Sequence, residues 1–480
     1  MISNPDRFAA MSAYSFYSRC MKQAAPIFPT ANDQSLSQRL LLYSGFISSS
    51  SPGIFALWPN FVRALDKLSA LVNRKMTHLG AQRVILPALG SRSIWETSGR
   101  WKTNESQLFL LKDRCGKEFC LQPTHEEEIT TIVRSLGLSY RQLPLLVYQI
   151  SNKFRDEMRP RYGLIRCREF VMKDLYSFDE TYENALVTYN NVCKIYSELF
   201  GELKLPYYRV LADAGDIGGN LSHEFHLPIP VGEDRLCVCS KCGLGYNAEV
   251  KDGLKQLNCR TSVPEQCSHS IREIRGLEIA HCFLLGVRYS KCLDATFNFP
   301  KGKAFFEMGC YGIGMTRLLA AAVEYLTAAA FPNLSLEQIT DLRWPPGLAP
   351  FSAALALQKQ NARDALDPTE LKSVLDSLSH ESDGSPIKQS MDGDFLVDDR
   401  PGLTLGRKLV DLKRLGIPWI VVIKAHRVAQ PVYELVNVYS DVSHEATLDQ
   451  VRLALRHPQT FTSNDLPRWS PYNCTVTTAD

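Results

Sequence analysis

A chain of 480 residues and 54.0 kDa is long enough for two or three domains of ordinary size. Its 45% hydrophobic and 22% charged residues are typical of a folded globular protein and exclude a disordered or collagen-like chain. The 54 Lys and Arg residues against 51 Asp and Glu give a net charge of +3, which excludes a histone-like polycation but leaves room for a local basic surface that binds nucleic acid.

The N-terminal residues 1–33 have the composition of an organellar targeting segment. Up to residue 32 they contain three basic side chains, Arg7, Arg19 and Lys22, and a single acidic one, Asp6. An acid-poor, weakly basic segment that could form an amphipathic helix is typical of a transit peptide, and a disordered leader is the alternative. We therefore expect this segment to direct import and to be dispensable for catalysis.

Alternating helix and strand patterns between residues 34 and 350 predict a first, large domain. Its clearest element is a long amphipathic helix, because apolar residues recur at helical spacing over residues 58–72 and Gly80 ends the pattern. Residues 82–87 then predict a strand that Pro87 ends.

A second block, residues 351–460, predicts a small α/β domain. It follows a Pro- and Gly-containing linker at residues 343–347, and its strand patterns alternate with helix patterns. The predicted elements are helix 361–378, strand 394–399, helix 405–415, strands 419–423 and 433–439, and helix 448–455. We expect the polar tail, residues 461–480, to be loose.

The densest chemical pattern lies between residues 154 and 174, in what is predicted to be a strand, a loop and a second strand. It contains Arg155, Glu157, Arg166 and Phe170. Arginine binds phosphate oxygens bidentately, an aromatic ring stacks on a purine, and a glutamate accepts hydrogen bonds from an adenine amino group. The combination predicts ATP binding, with a charged surface hairpin as the alternative for this stretch taken alone.

A second pattern, residues 307–317, places glycines and a basic residue before an apolar helix. Gly312 and Gly314 allow a ligand to approach the backbone closely, and Arg317 adds positive charge at a helix N-terminus, where anions bind. It is not the dinucleotide-binding fingerprint, because Arg317 stands where that fingerprint has a small residue. The apolar helix is too short to span a membrane and contains Glu324, so we expect a soluble protein with no membrane partner.

Seven of the 14 cysteines fall in one central window, which is not the pattern of a secreted disulfide scaffold and favours a reducing compartment. Residues 232–275 of this window have the look of a zinc ribbon, with Cys239, Cys242, Cys259 and Cys267 as candidate ligands. Two CxxC pairs would be a strong pattern, but here the second pair is wider spaced. Two interpretations therefore remain open: a structural zinc site, or a degenerate remnant of one whose cysteines are reduced.

The helix and strand up to Pro87, the Phe-Arg-Asp-Glu stretch and the Gly-x-Gly-x-x-Arg stretch together resemble the three signature motifs of class II aminoacyl-tRNA synthetases. The resemblance implies an α+β fold. Its catalytic domain would be an antiparallel sheet flanked by helices, not a Rossmann sheet, and a C-terminal α/β anticodon-binding domain would follow.

The same resemblance implies roles for the residues of the second and third motifs. Arg155 would hold the ATP α-phosphate and the amino-acid carboxylate, and Arg317 would hold the γ-phosphate side. Glu157 would read adenine and Phe170 would stack on it. Arg166 would lie in the loop that folds over ATP.

A finer resemblance, to the prolyl-tRNA synthetases, covers residues 35 to about 455. The stretch Leu-Gln-Pro-Thr-His-Glu-Glu looks like their proline loop, in which Thr124 and Glu126 would bind the ring ammonium of proline. A secondary ammonium has a positive charge and two N–H donors, so one oxygen acceptor and one carboxylate satisfy it in a dry pocket. His223 and Cys310 would line this pocket, although singly each is more often structural.

This resemblance implies a two-step reaction. Proline and ATP form prolyl-adenylate and pyrophosphate, and the 3′-terminal ribose hydroxyl of proline tRNA then takes the prolyl group. Mg²⁺ would bridge the phosphates, with Glu307 as a candidate ligand. In the C-terminal domain, Asp399 and Arg400 would contact the anticodon, and basic residues such as Lys408 could bind phosphate.

The likeness is greatest to the animal mitochondrial members, which together with the N-terminal composition predicts the mitochondrial matrix. A homodimer formed through the first motif is implied by the family alone. Between Phe178 and Glu307 the chain has 307 − 178 = 129 positions, which leaves little room for the editing insertion that many bacterial members carry.

Two alternatives use the same scaffold. A non-catalytic paralogue would act as a nucleic-acid-binding subunit, since fold alone does not settle function. Such relatives usually lose the motif arginines or the amino-acid pocket, and this chain keeps both. Threonine specificity is the second alternative, but threonyl enzymes hold their substrate with a catalytic zinc, and the proline-type loop argues against it.

Overall fold

The structure is a computed structural model that describes residues 15–20, 35–240, 243–250, 271–300, 302–362, 365–379, 394–425 and 432–456. The strands within these residues are β1 Ser15–Phe16, β2 Ile47–Ser51, β3 Ile54–Leu57, β4 Gln82–Arg83, β5 Leu89–Ser91, β6 Phe109–Lys112, β7 Glu118–Leu121, β8 Leu145–Phe154, β9 Glu169–Asp179, β10 Tyr208–Leu211, β11 Leu221–Leu227, β12 Asp234–Cys239, β13 Gly245–Asn247, β14 Ile271–Gly286, β15 Thr296–Phe299, β16 Gly302–Phe305, β17 Glu307–Gly314, β18 Ala353–Ala356, β19 Phe395–Asp398, β20 Trp419–Ala425, β21 Val432–Asn437 and β22 Val442–Ala446. The helices are α1 Leu36–Tyr43, α2 Pro59–His78, α3 Arg92–Thr97, α4 Arg100–Thr103, α5 Glu126–Ser135, α6 Tyr182–Glu202, α7 Arg288–Cys292, α8 Met315–Ala330, α9 Pro368–Ser379, α10 Leu405–Arg414 and α11 Leu448–Arg456.

A nine-stranded sheet forms the centre of the first domain, in the order β11-β10-β13-β12-β14-β17-β9-β8-β4. Most neighbouring strands are antiparallel, and the exceptions are the β10–β13 and β4–β8 pairs. Helices α2, α6 and α8 cover one face of this sheet. The predicted antiparallel sheet with flanking helices is therefore confirmed.

The long helix predicted from the 58–72 pattern is α2. It begins with Pro59 at its first position, buries Phe61, Leu68 and Val72 against the core, and Gly80 follows it with a φ of 81°. The strand predicted at 82–87 is shorter than expected, because only Gln82–Arg83 pairs with β8 before the chain runs on to Pro87.

The apolar helix after the glycines is α8, and it is a core helix. Glu324, which interrupts its apolar sequence, accepts hydrogen bonds from the backbone N–H groups of Leu36 (3.2 Å) and Ser37 (2.6 Å). A buried carboxylate thereby satisfies unpaired donors at the N-terminus of α1. Among the described residues, no helix combines the length and apolarity needed to cross a membrane.

A six-stranded mixed sheet forms the C-terminal domain, in the order β1-β19-β18-β20-β21-β22. The predicted helices and strands of this domain are present, although the first helix is shorter than expected and begins at Pro368. Two strands were missed, β18 and β22. The sheet also contains a strand from the other end of the chain, since β1 lies parallel to β19.

Candidate active site

A cavity of about 330 Å³ opens on the face of the nine-stranded sheet that the long helices leave uncovered. Because side chains alternate across a strand, the cross-strand register decides which residues face it. One row of partners runs Glu224–His281–Gly312–Asp174 across β11, β14, β17 and β9, and all four line the cavity. The sheet thus brings residues from four distant parts of the chain to one surface.

Thr124, Glu126 and Cys310 meet at one end of this cavity. Thr124 Oγ1 donates to Glu126 Oε2 at 2.6 Å, and Cys310 Sγ donates to Glu126 Oε1 at 3.0 Å. Glu126 is fully buried at the first turn of α5, where the helix N-terminus favours a carboxylate. Three of the four residues predicted for the proline pocket therefore form one hydrogen-bonded cluster.

Arg100, which the sequence did not single out, completes this cluster. Its Nη1 lies 3.2 Å from Glu126 Oε2 and 3.1 Å from Glu127 Oε1, and its side chain is 3% exposed. Burial would lower the pKa of Arg100, but the charges of Glu127 and Glu126 outweigh this and raise it. Burial raises the pKa of Glu127, and Arg100 opposes that rise. One arginine thus contacts both buried carboxylates.

The backbone of the loop before α5 is fixed by a buried network. The His125 N–H donates to Tyr176 Oη at 2.9 Å, and Tyr176 Oη donates to Asp174 Oδ2 at 2.9 Å. The Lys153 ammonium lies 2.8 Å from Asp174 Oδ1. Burial lowers the pKa of His125 to about 4, so its ring is neutral at physiological pH. This network fixes the backbone at His125 and therefore the positions of its neighbours Thr124 and Glu126.

Arginines and an aromatic ring line the other part of the cavity. The Arg155 guanidinium lies 5.2 Å from the centroid of the Phe170 ring. Arg317 Nη1 contacts Glu278 Oε2 at 3.1 Å, and Arg317 Nε donates to the Ile165 carbonyl at 3.0 Å. Burial and the nearby Arg317 lower the pKa of Arg155. Two cations close together make this part of the cavity attractive to an anion such as a triphosphate.

The two glycines predicted to bind ATP also line the cavity. Gly312 lies on β17, and a Cβ added there would meet the sulfur of Met172 at 3.7 Å, whereas one added at Gly314 would meet Cβ of Arg317 at 3.3 Å. The absence of side chains therefore keeps the cavity floor open and leaves room for Arg317 to turn towards a ligand.

Glu224, Glu278 and His281 form a group that could hold a metal ion, since each offers a ligand atom within 4.8 Å of the others. His281 Nδ1 lies 3.1 Å from Glu278 Oε1. Burial would raise the pKa of Glu278, but the hydrogen bond from His281 and the charges of His281 and Arg317 outweigh it and lower that pKa. An ionised carboxylate is the kind of ligand that Mg²⁺ prefers.

Glu307, the predicted Mg²⁺ ligand, does not line the cavity. It pairs with Asp179 at the end of β17, and burial together with the charges of Glu183 and Asp179 raises its pKa. Glu307 and Gly312 are five residues apart on β17, an odd number, so the Glu307 side chain points to the opposite face of the sheet. The geometry therefore favours Glu278 over Glu307.

His223 also faces away from the cavity, contrary to the prediction. It lies opposite Cys282, its Nδ1 is 2.8 Å from the Tyr189 hydroxyl of α6, and burial lowers its pKa to about 4. The next residue, Glu224, faces the cavity instead. Adjacent residues of a strand point to opposite faces of the sheet. The sequence motif does not show which face lines the cavity, so the prediction named His223 instead of the adjacent Glu224.

Glu157 and Arg166 lie in the loop between β8 and β9 and pair with each other, with Arg166 Nε 2.9 Å from Glu157 Oε2. Arg166 also contacts Glu233, which pairs with Arg161. Neither Glu157 nor Arg166 lines the cavity. The loop is held beside the cavity by the Glu157–Arg166 pair and by the ion pairs that Arg161 and Arg166 form with Glu233.

In the C-terminal domain, the side chains of the predicted anticodon contacts are engaged within the protein. Asp399 accepts hydrogen bonds from Ser18, and Arg400 binds Asp398 and Asp411. The prediction for Lys408 is wrong, because its ammonium is buried and donates to two backbone carbonyls.

Of the candidate zinc ligands, Cys239 is buried at the end of β12. The predictions for Cys242, Cys259 and Cys267 lie outside the described residues, as do those for the 461–480 tail and for most of the segment 1–33. Structural zinc stays a prediction.

Sequence reasoning missed Arg100, Glu224, Glu278 and His281. Glu224 adjoined a predicted site residue, so a signal for it existed one position away. For Arg100 the sequence contained no such signal. A single arginine before a tryptophan indicates no site by itself, and its role depends on contacts with Glu126 and Glu127 of α5.

Residues 109–326 match the family described as the tRNA synthetase class II core domain (G, H, P, S and T). A probable mitochondrial proline–tRNA ligase of Homo sapiens is 42% identical over 399 residues, which is 83% of this chain and 79% of that protein. The corresponding protein of Schizosaccharomyces pombe is 37% identical, with 87% and 93% covered. The Giardia lamblia prolyl-tRNA synthetase solved with prolyl-adenylate shares the fold, with a TM-score of 0.65, 16% identity and 88% and 77% of the two chains covered.

Proposed function

Because this chain belongs to the prolyl-tRNA synthetase family of class II aminoacyl-tRNA synthetases, we propose that it ligates L-proline to proline tRNA through a prolyl-adenylate. The observation that carries the proposal is that a buried carboxylate cluster at Glu126 and two arginines, Arg155 and Arg317, line the same cavity. Prolyl-adenylate formation requires a site that binds the positively charged ring ammonium of proline at one end and the negatively charged phosphates of ATP at the other.

The amino acid binds at the carboxylate end. Glu126 supplies the negative charge for the ring ammonium of proline, and Thr124 supplies a hydroxyl oxygen, while Arg100 and Cys310 fix the Glu126 carboxylate. Two donors on the substrate are thereby matched by two acceptors on buried side chains of the protein.

The phosphates bind at the arginine end. Arg155 neutralises the substrate carboxylate and the α-phosphate as they approach, which permits attack of the carboxylate oxygen on the α-phosphorus and departure of pyrophosphate. Arg317 holds the far phosphates, and Phe170 stacks on the adenine. Catalysis consists of positioning and charge stabilisation, so no general base from the protein is needed. The 3′-terminal ribose hydroxyl of tRNA then attacks the acyl carbon and releases AMP.

Mg²⁺ fits this site through Glu278 and Glu224, since both are cavity-lining carboxylates next to the position of the phosphates. The ion, when bound, neutralises phosphate charge. His281 contributes less to it because an imidazole is a poor Mg²⁺ ligand, and its contact with Glu278 serves to orient that carboxylate.

The non-catalytic alternative is not favoured. A subunit that only binds nucleic acid would have no need for a buried, hydrogen-bonded Thr124–Glu126–Arg100 cluster within one cavity with Arg155 and Arg317. Proline-dependent exchange of pyrophosphate into ATP tests the proposal directly. Exchange with proline supports it, and exchange only with threonine, or none with any amino acid, contradicts it.

We predict activation of alanine without hydrolysis of alanyl-tRNA. Alanine is smaller than proline, so only lost apolar contact discriminates against it, and that supplies roughly 1–3 kcal/mol per missing methylene. Every described strand between α6 and β17 belongs to the nine-stranded sheet or to the β15–β16 hairpin, so these strands form no separate hydrolytic domain. The measurement is deacylation of preformed alanyl-tRNA carrying the proline anticodon; protein-dependent hydrolysis above the spontaneous rate would contradict the prediction.

We further propose a homodimer formed along the edge of the nine-stranded sheet at β4. Ile85, just after this edge strand, is 86% exposed, and Leu89 is 49% exposed. Large apolar side chains exposed in the chain just after an unpaired edge strand favour contact with a second copy.

An Ile85→Asp variant is expected to dissociate the dimer. Burial of an isoleucine contributes about 1.5–3 kcal/mol, and a two-fold interface loses it twice, so the dissociation constant should rise by about 10² or more. Sedimentation velocity across a concentration series measures this. Leu453→Asp, at an exposed leucine of α11, is the control and should leave the dimer intact.

The mitochondrial matrix is the proposed location. The Homo sapiens and Schizosaccharomyces pombe relatives are named as probable mitochondrial ligases, and residues 1–32 are poor in acids. Import of a reporter fused to this segment tests the assignment, and a reporter that stays in the cytosol would contradict it.

A further inference from the structure

Six residues from the N-terminal segment lie on the C-terminal domain, almost four hundred positions away in the chain. β1 is the edge strand of the six-stranded sheet, with Ser15 opposite Leu396 and Phe16 opposite Val397. Without it, β19 would present one row of unpaired backbone groups at the sheet edge. Ser15 and Phe16 therefore complete a sheet that the rest of the described domain leaves open on this side.

The two aromatic residues of this segment are buried on opposite faces of the sheet. Phe16 is 3% exposed and belongs to the apolar cluster that contains Val397 and Leu375, whereas Tyr17 is 8% exposed and belongs to the cluster that contains Leu412. Phe16 ends β1, and Tyr17 begins a single turn of 3-10 helix, Tyr17–Arg19. Two large side chains buried in two separate clusters hold this short segment on the domain, which a surface loop would not show.

Polar contacts join the same segment to the turn after β19. The Ser18 N–H and hydroxyl donate to the two oxygens of Asp399 at 2.9 and 2.5 Å. The Arg400 guanidinium lies 3.9 Å from the centre of the Tyr17 ring. On its other side, Arg400 donates to Asp398 (2.8 and 2.6 Å) and to Asp411 (2.7 Å). The Asp399–Arg400 turn is thus held between the N-terminal segment and its own domain.

We propose that residues 15–20, which comprise β1 and the helical turn after it, are a permanent part of the C-terminal domain and shape the Asp399–Arg400 turn for its RNA partner. A targeting segment must then be cleaved before Ser15. Cleavage after Phe16 and Tyr17 would expose the edge of β19 and the two apolar clusters in which these side chains are buried. The RNA role of the turn rests on the proposed function, but the place of the strand in the domain does not.

Hydrogen exchange of two deletions tests the strand. A chain lacking residues 1–14 keeps it, and a chain lacking residues 1–20 does not. In the longer deletion, peptides covering residues 395–400 should exchange at least about tenfold faster, the effect of roughly 1.4 kcal/mol of lost local stability. The shorter deletion should match the full chain. Equal protection of β19 in both deletions would overturn the proposal.

Point variants at Phe16 cover the case in which the longer deletion fails to fold. Phe16→Asp places a charge in an apolar cluster and should release β19 as the deletion does, whereas Phe16→Leu keeps an apolar side chain and should not. Unchanged exchange in Phe16→Asp would overturn the docking of this strand.

Aminoacylation of a transcript of proline tRNA tests the RNA role. Phe16→Asp should raise the KM for tRNA several-fold and leave proline-dependent pyrophosphate exchange unchanged, because the catalytic cavity lies in the other domain. An unchanged KM for tRNA despite faster exchange at β19 would refute the RNA role alone. A full chain without pyrophosphate exchange would refute the proposed function, while the result at β19 would still stand.

Discussion

Arg155→Ala is expected to abolish adenylate formation while the fold stays intact. Arg155 is the side chain proposed to meet both the substrate carboxylate and the α-phosphate, and it lies in the cavity beside Phe170 and near Arg317. Loss of one such charge-stabilising contact typically lowers the rate by about 10²–10³. Proline-dependent pyrophosphate exchange measures the effect, and circular dichroism verifies the fold.

Two further variants make this result specific. Arg155→Lys keeps the charge but loses the planar fork, so it should recover only part of the rate. Arg159→Ala changes an exposed arginine of the same loop that does not line the cavity, and exchange should stay near normal. Near-normal exchange in a folded Arg155→Ala protein would refute the role assigned to Arg155.

Glu126→Gln is expected to impair proline binding far more than ATP binding. Glutamine keeps the shape of the side chain but removes the charge that pairs with the ring ammonium, and it places an amide N–H₂ among donors from Thr124, Cys310 and Arg100. A buried charge left without its partner costs about 3–5 kcal/mol, a factor of roughly 10²–10⁴ in kcat/KM for proline. The KM for each substrate in pyrophosphate exchange separates the two effects.

The neighbouring Glu127 is a matched control. It is equally buried and contacts the same Arg100, but it accepts a hydrogen bond from Ser98 and does not line the cavity. Glu127→Gln should therefore lower stability and change the proline KM much less. If Glu126→Gln affects proline and ATP equally, or if Glu127→Gln reproduces its selectivity for proline, the pocket is assigned incorrectly.

The sequence by itself determined the elements whose pattern is local. The period of the apolar residues set α2, and Gly80 set its end, because helix periodicity and a left-handed glycine act over a few residues. The motif residues Thr124, Arg155 and Arg317 were also identifiable, since their spacing within short stretches reflects the chemistry of the ligand. These local patterns sufficed for the family and for most of the cavity.

Only the tertiary structure decided which face a strand residue takes. His223 and Glu224 are adjacent, and the pairing of β11 with β14 turns His223 to α6 and Glu224 to the cavity. Glu307 was misplaced for the same reason. Strand period is visible in a sequence, but its phase is set by the core and the neighbouring strands, which lie far away in the chain.

The tertiary structure also decided every contact between distant segments. Arg100 reaches Glu126 only because α4 and α5 pack together, and Ser18 reaches Asp399 across 381 positions. The composition of residues 1–32 suggested a leader, yet Phe16 and Tyr17 are buried in the C-terminal domain. Composition averages over a segment, whereas burial depends on a complementary surface elsewhere, so no local pattern could reveal this strand.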